Sequence, residues 1–159
     1  MPATNLGVVE NFLPRSRMND NIDIQVSDTP TAEETELILR NLVDFNDSQA
    51  GPADARKLAV LARNGPEIIG GLIGITHWNW LNIYYLWVDK SIRHQGLGRR
   101  LVVAAEKEAR TRGCEHVHLD TFSFQAVPFY ERLGYTVFGR LDDYPIGHSR
   151  VYLQKRNLP

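Results

Sequence analysis

The sequence predicts a single α/β domain in which strands and helices alternate around one sheet. Three features predict it. KLAVLAR-NGP-EIIGGLIGITHW, residues 57–78, joins two apolar runs across Asn64-Gly65, and such a pair supplies the positive φ that a tight hairpin turn needs. IYYLWV, residues 83–88, is apolar on both alternating faces, as a central strand buried on each side should be. Residues 97–112 then place Leu97, Leu101, Ala105 and Ala109 at helical spacing, with Val102 beside them and Arg, Lys and Glu opposite, which makes an amphipathic helix lying on a sheet.

The remaining elements follow in chain order. Residues 1–20, with Pro2, Gly7 and Pro14 among polar side chains, read as an N-terminal arm, leaving 21–159 as the domain. IDIQVSD (22–28) alternates like a strand, and Thr31 with Glu33 and Glu34 opens a helical pattern through Leu37, Ile38, Leu42 and Phe45. Gly70, Gly71 and Gly74 weaken the second hairpin strand and mark a bulge or a close approach by backbone or ligand. A connection runs near Asn79 to Asn82, and Gly113 stops the long helix. HVHLDTF (116–122) is a strand, AVPFYERLGY a short helix ended by Gly134, and TVFGRLD and RVYLQKR are the last two strands.

Composition narrows the function. With 159 residues, 43% of them hydrophobic, the chain suits one core. A net charge of -1 gives no broad positive field for nucleic acid or an anionic membrane. Cys114 stands alone, so no internal disulfide and no metal-ligand spacing exist; the setting expected is reducing and cytoplasmic. No segment reads as a signal or a membrane span.

RHQGLGRRL, residues 93–101, then stands between the central strand and the long helix. A helix start exposes unpaired N–H groups and the positive end of the backbone dipole, and Gly96 and Gly98 let a bulky anion approach without a Cβ in the way. The stretch fits a phosphate or pyrophosphate. A Walker loop would need Lys and then Ser or Thr after its last glycine, where Arg99 and Arg100 follow Gly98; a dinucleotide fingerprint would need Gly or Ala at Leu101.

Arg93-His94-Gln95-Gly96-Leu97-Gly98 resembles the Arg/Gln-x-x-Gly-x-Gly/Ala signature of the GNAT superfamily of N-acetyltransferases, and it stands where that family places it. A second segment, LDTFSFQAVPFYERLGY, is similar to the family's later Ala-x-x-Phe-Tyr helix ending in Leu-Gly-Phe/Tyr, here Ala126, Phe129, Tyr130, Leu133, Gly134 and Tyr135. The resemblance implies a mixed, mostly antiparallel sheet of six or seven strands flanked by helices, with splayed central strands. It also implies acetyl-CoA as cosubstrate and no metal. The pyrophosphate would lie on the N–H groups of His94, Gln95, Gly96, Leu97, Gly98 and Arg99, with Arg93, Arg99 and Arg100 adding charge, and the pantetheine amides on the open edge at Leu86 and Val88. Where many members carry Asn this chain has Ser123, so Ser123 or Gln125 would contact the pantetheine arm instead.

The reaction implied is acyl transfer from a thioester to an amine, directly and through a tetrahedral intermediate, with a backbone N–H such as that of Val88 stabilising the oxyanion. Tyr130 matches the family tyrosine near the CoA sulfur and is the expected general acid. An alkylamine with a pKa of about 10.4 is mostly protonated at pH 7 and needs a base; His77, Asp120, His118 and His148 are the candidates. Asp142, Asp143, Tyr144 and His148, with Trp78 and Trp80, would form an acidic, aromatic acceptor site for a cationic small molecule. Exposed Trp78 or Trp80, or a docked arm, would point to a homodimer. A protein lysine or N-terminal acetyltransferase and a non-catalytic acyl-CoA-binding module stand as alternatives.

Overall fold

The computed structural model describes residues 22–159, and the N-terminal arm read at 1–20 lies outside them. Contacts group the chain into one unit ending at Asn41 and a second, Leu42–Pro159. The first helix, α1 (Ala32–Ala50), crosses that boundary. It starts as its sequence dictates: the Thr31 hydroxyl accepts from the Glu34 N–H at 3.1 Å and the Glu34 carboxylate accepts from the Thr31 N–H at 2.8 Å. This reciprocal capping box satisfies two amides that the helix itself cannot.

The second unit carries β1 (Arg56–Asn64), β2 (Glu67–His77), β3 (Trp80–Val88), α2 (Leu97–Thr111), β4 (His116–Phe122), α3 (Val127–Arg132), β5 (Thr136–Asp142) and β6 (Ser149–Lys155). They form one six-stranded sheet in the order β1-β2-β3-β4-β6-β5, antiparallel except for the β3–β4 pair. A parallel pair needs a crossover, and α2 supplies it.

The core lies between α2 and one sheet face. Leu101, Val102, Ala105 and Ala109 meet Leu58, Leu72, Leu81, Val117, Leu119 and Leu153, all buried. Within each regular run of the ladders, partner residues alternate between this face and the other, as period two requires. Behind α2, Glu106 is buried but answered: Lys155 Nζ reaches both its oxygens, at 2.9 and 3.1 Å, and the Tyr135 hydroxyl donates at 2.9 Å. Such a charge belongs in a core only when fully paired. Among the described residues no helix is long and apolar enough to cross a membrane.

Three sequence expectations need correction. Residues 22–28 form no strand, because alternation fixes which face a strand would show and does not provide a neighbour to pair with. Asn79 to Asn82 is not a connection. β3 starts at Trp80, and Trp78 and Asn79 alone turn the chain, both at positive φ (42° and 72°), the double left-handed geometry that matches strand twist. Finally, β3 is not buried on both faces: Tyr84, Tyr85 and Trp87 are about half exposed or more.

Candidate active site

The cause of that exposure is one surplus residue. Ile73 pairs with Tyr85 and Gly74 with Ile83, so Tyr84 has no partner on β2 and forms a bulge. Gly74 makes it possible, since a Cβ there would stand 2.5 Å from the Asn82 carbonyl oxygen. The bulge turns β3 away from β4: their parallel ladder runs from Trp80/His116 to Ile83/Leu119 and stops, although β3 continues to Val88 and β4 to Phe122.

The direction of the freed groups follows from the β2 ladder. The Asp89 N–H donates to the Ile69 carbonyl at 3.0 Å. In an antiparallel pair bonded positions alternate with unbonded ones, so Val88 opposite Gly70 and Leu86 opposite Leu72 turn their N–H and C=O groups away from β2 and toward the gap. Across the gap the β4 edge is closed by its own turn. Gln125 Oε1 accepts from the Phe122 N–H at 3.0 Å, and the Gln125 N–H donates to the Phe122 carbonyl at 2.8 Å. On β3 this leaves the Val88 N–H and both Leu86 groups facing the gap, and an amide buried without a partner is costly.

Val88 leads through a short 3-10 turn, Lys90–Ile92, into α2. Arg93 Nε donates to the Val88 carbonyl at 3.0 Å and so fixes the end of the strand. His94 and Gly96 take positive φ (63° and 83°), and Gly96 is the N-cap of α2, without any side-chain hydrogen bond to the first-turn amides. A left-handed residue followed by a helical one points successive N–H groups into one concavity, a natural anion cradle. At Gly96 the space a Cβ would take is open. Gly98 differs from expectation: its missing Cβ faces Phe129 of α3 at 3.4 Å and Val88 at 3.9 Å, so it allows α2, α3 and β3 to meet and does not clear space for the anion.

Several expected site residues are engaged elsewhere. The Ser123 hydroxyl oxygen accepts from the Ser149 N–H at 3.1 Å and Gln125 Oε1 also takes the Thr121 hydroxyl at 3.0 Å, so the acceptor atoms of both are engaged within the protein. Asp120 gives both oxygens to Arg150, at 2.6 and 2.8 Å, which removes it as a free base. Asp142 accepts from the Ser149 hydroxyl and Asp143 from the Gly147 N–H, each through one oxygen, so these exposed acids help to shape the β5–β6 loop. Trp78 gives its indole N–H to the Gly51 carbonyl at 3.0 Å. It sits with Trp80 and His77 at the β2–β3 hairpin, about 20 Å along the strand from Leu86 by the strand rise.

Other expected residues do gather at the gap. Tyr144 lies 6.1 Å from Phe122 and His148 packs edge-on to Phe124 at 4.9 Å, folding the β5–β6 loop over the end of β4. Arg150, which no motif singles out, has its guanidinium over the rings of Phe122, Tyr144 and Tyr152 at 5.7 to 5.9 Å. Tyr130 is buried in α3, and its hydroxyl pKa is pushed up to about 12 by burial and further by the Asp120 charge. His118 shares the Asp120 face; burial holds its pKa below the usual value, His77 lowers it further, and Asp120 opposes both. Burial likewise raises the Cys114 thiol, against the pull of Arg112 and Arg56.

A sheet split beside an uncapped helix start, with a buried tyrosine behind the split, defines an acyl-CoA-dependent transferase. The profile of the Acetyltransferase (GNAT) family matches residues 19–135. The chain belongs to that family and is an acetyltransferase that uses acetyl-CoA. It is 38% identical over 132 residues to an acetyltransferase of Agrobacterium fabrum, spanning 82% of this chain and 96% of that one. It is also 45% identical over 90 residues to blasticidin-S acetyltransferase of Streptomyces morookaense, spanning 56% of this chain and 66% of that one. Among solved structures, an acetyltransferase from Agrobacterium tumefaciens aligns with TM-score 0.79 and 37% identity over 85% of this chain and 99% of that one.

Proposed function

We propose that the acetyl group is delivered directly to the primary amine of a small molecule. The carrying observation is the unpaired β3 edge at Leu86 and Val88, continuous with the open amides at Gly96, Leu97, Gly98 and Arg99. Together they match a ligand with two amides and a pyrophosphate, the first bound as an added strand and the second at the helix start. Arg99 and Arg100, both exposed, add charge there, while Arg93 positions Val88.

When bound, acetyl-CoA supplies the activated acetyl group and a thiol leaving group. The Val88 N–H, nearest the helix start, pairs with the pantetheine arm, and the Leu86 N–H, two residues nearer the bulge and also turned into the gap, is the donor for a carbonyl oxygen that gains charge. A tyrosine hydroxyl with its pKa near 12 is a poor proton source for a thiolate whose own pKa is about 8.5, so Tyr130 acts chiefly by donating a hydrogen bond to it. Among the candidate bases His118 fits best, since its lowered pKa keeps it neutral and able to accept a proton at pH 7. Transfer through Cys114 is disfavoured, because a buried, raised thiol is a weak nucleophile.

A small acceptor is supported by the β5–β6 loop, which lies over the end of β4 and narrows the groove that a protein substrate would need. The blasticidin-S relative acts on a small molecule by its name, which agrees. A cytoplasmic setting fits the reduced, buried Cys114.

The test is thiol release from acetyl-CoA across an amine panel, with calorimetry of coenzyme binding. Gly96→Glu places a carboxylate against the cradle and is expected to weaken coenzyme binding by at least about tenfold, or 1.4 kcal/mol. Equal affinity of the variant and the unaltered protein would overturn the pyrophosphate assignment.

A further inference from the structure

The sheet face opposite α2 carries a hollow of about 380 Å³ lined by His77, Trp78, Trp80, His118, Phe138 and Gln154. Its construction is visible in the register. His77 faces Trp80 across the hairpin, His118 faces Gln154, and Phe138 is the residue a second bulge, between Val137 and Gly139, pushes out of the β5–β6 ladder. Trp80 and His118 meet at 5.8 Å, close to edge-on, which fixes one wall.

The hollow adjoins the gap. His118 and Asp120 share a face two residues apart, about 7 Å by the strand rise, and the β3–β4 ladder ends between them at Leu119. A ring resting on Trp80 and Phe138 with an amine on a short chain would therefore extend past His118 to the apex of the split.

Charge selects among amines. Among the described residues no carboxylate lines the hollow. Asp120, two residues beyond His118 on β4, is matched by Arg150 through two hydrogen bonds, and the Arg156 guanidinium lies 5.2 Å over the Trp80 ring. A second ammonium on the acceptor would meet the Arg156 guanidinium with no lining carboxylate to offset it, whereas a flat ring gains contact with both aromatic walls. The volume is at the small end for ligand sites, enough for one ring system and a short arm.

Resting on the acetyl-to-amine reading above, we propose that this hollow seats the body of the acceptor, and that the acceptor is a monoamine borne on an aromatic or heteroaromatic ring and not an aliphatic polyamine. This reverses the cationic, acidic-cleft preference drawn from Asp142 and Asp143 in the sequence.

The experiment compares thiol release with 2-phenylethylamine and with spermidine, in the unaltered protein and in Trp80→Ala and Phe138→Ala. The ring amine is expected to have a kcat/KM at least about tenfold higher, and each variant to raise its KM by up to about tenfold while acetyl-CoA affinity by calorimetry stays unaltered. Saturation-transfer NMR adds a readout independent of turnover: the ring protons of 2-phenylethylamine should show transfer in the unaltered protein and lose it in Trp80→Ala. Preference for spermidine, unchanged KM in both variants, or no ring-proton transfer would each overturn the proposal while leaving the coenzyme reading intact. Absence of acetyl-CoA binding would instead sink the reading beneath it, and the NMR result would still decide the hollow.

Discussion

The two halves of β3 are built from similar apolar residues and meet opposite fates. Below the bulge, Leu81 and Ile83 are buried and their strand is bonded on both sides, to β2 and to β4. Above it, Leu86 and Val88 still pack on the core with one face, but the β4 side is unpaired and Tyr85 and Trp87 are exposed. The lower half holds the molecule together, and the upper half offers the edge on which coenzyme is proposed to bind. Side chains alone do not separate these roles, because the binding groups in the upper half are peptide amides whose availability depends on a neighbour's departure.

Substitutions along the strand should expose this division. The largest effect is expected for Leu81→Ala, which empties a site with no solvent exposure and should cost about 3 kcal/mol of stability. Leu86→Ala, in the half-buried stretch, should cost about 1 kcal/mol and leave acetyl-CoA affinity nearly intact. Equal losses in urea unfolding would erase the distinction between the halves.

Tyr130→Phe acts on the upper half alone. It should lower kcat by about 100-fold while acetyl-CoA affinity and the unfolding midpoint hardly move. A change in affinity with unaltered kcat would make Tyr130 a packing residue only.

Gly74→Ala tests the joint between the halves. A methyl at 2.5 Å from the Asn82 oxygen cannot be accommodated without moving the bulge, and a loss of about 2 kcal/mol is expected from such overpacking. Thermal unfolding measures it, and coenzyme affinity should fall with it if the bulge is what opens the gap.

The smallest effect is the pH dependence. If the neutral form of His118 is the proton acceptor, as proposed, its pKa below the usual 6.5 means that kcat/KM should hold at pH 7 and decline only as pH falls through that lower value. His118→Gln should remove this acidic limb. Retention of the limb would assign the base to another group.

How much of this the sequence discloses depends on how local each device is. The helix start at Gly96, the α1 capping box and the Gly65 turn are set within a few residues, and each is found where the sequence puts it. The gap is different. The sequence alone shows neither Tyr84 as the unpaired residue, since an apolar hairpin strand does not mark where its register slips, nor the end of the ladder at Leu119, whose partner Ile83 stands 36 residues away. The Asp120–Arg150 pair links two strands in the same way, so Asp120 looks free until its partner is seen. A split sheet came only through likeness to a family.

Tyr84 is a single codon. Excising it would leave Ile83 opposite Gly74 and Tyr85 opposite Ile73 while restoring an even pleat, so that the rest of the strand could zip onto Thr121 and its neighbours. The product should melt at a higher temperature and turn over nothing. A lineage could thus silence this enzyme by a three-base deletion that makes it sturdier, and selection for robustness alone would favour the loss.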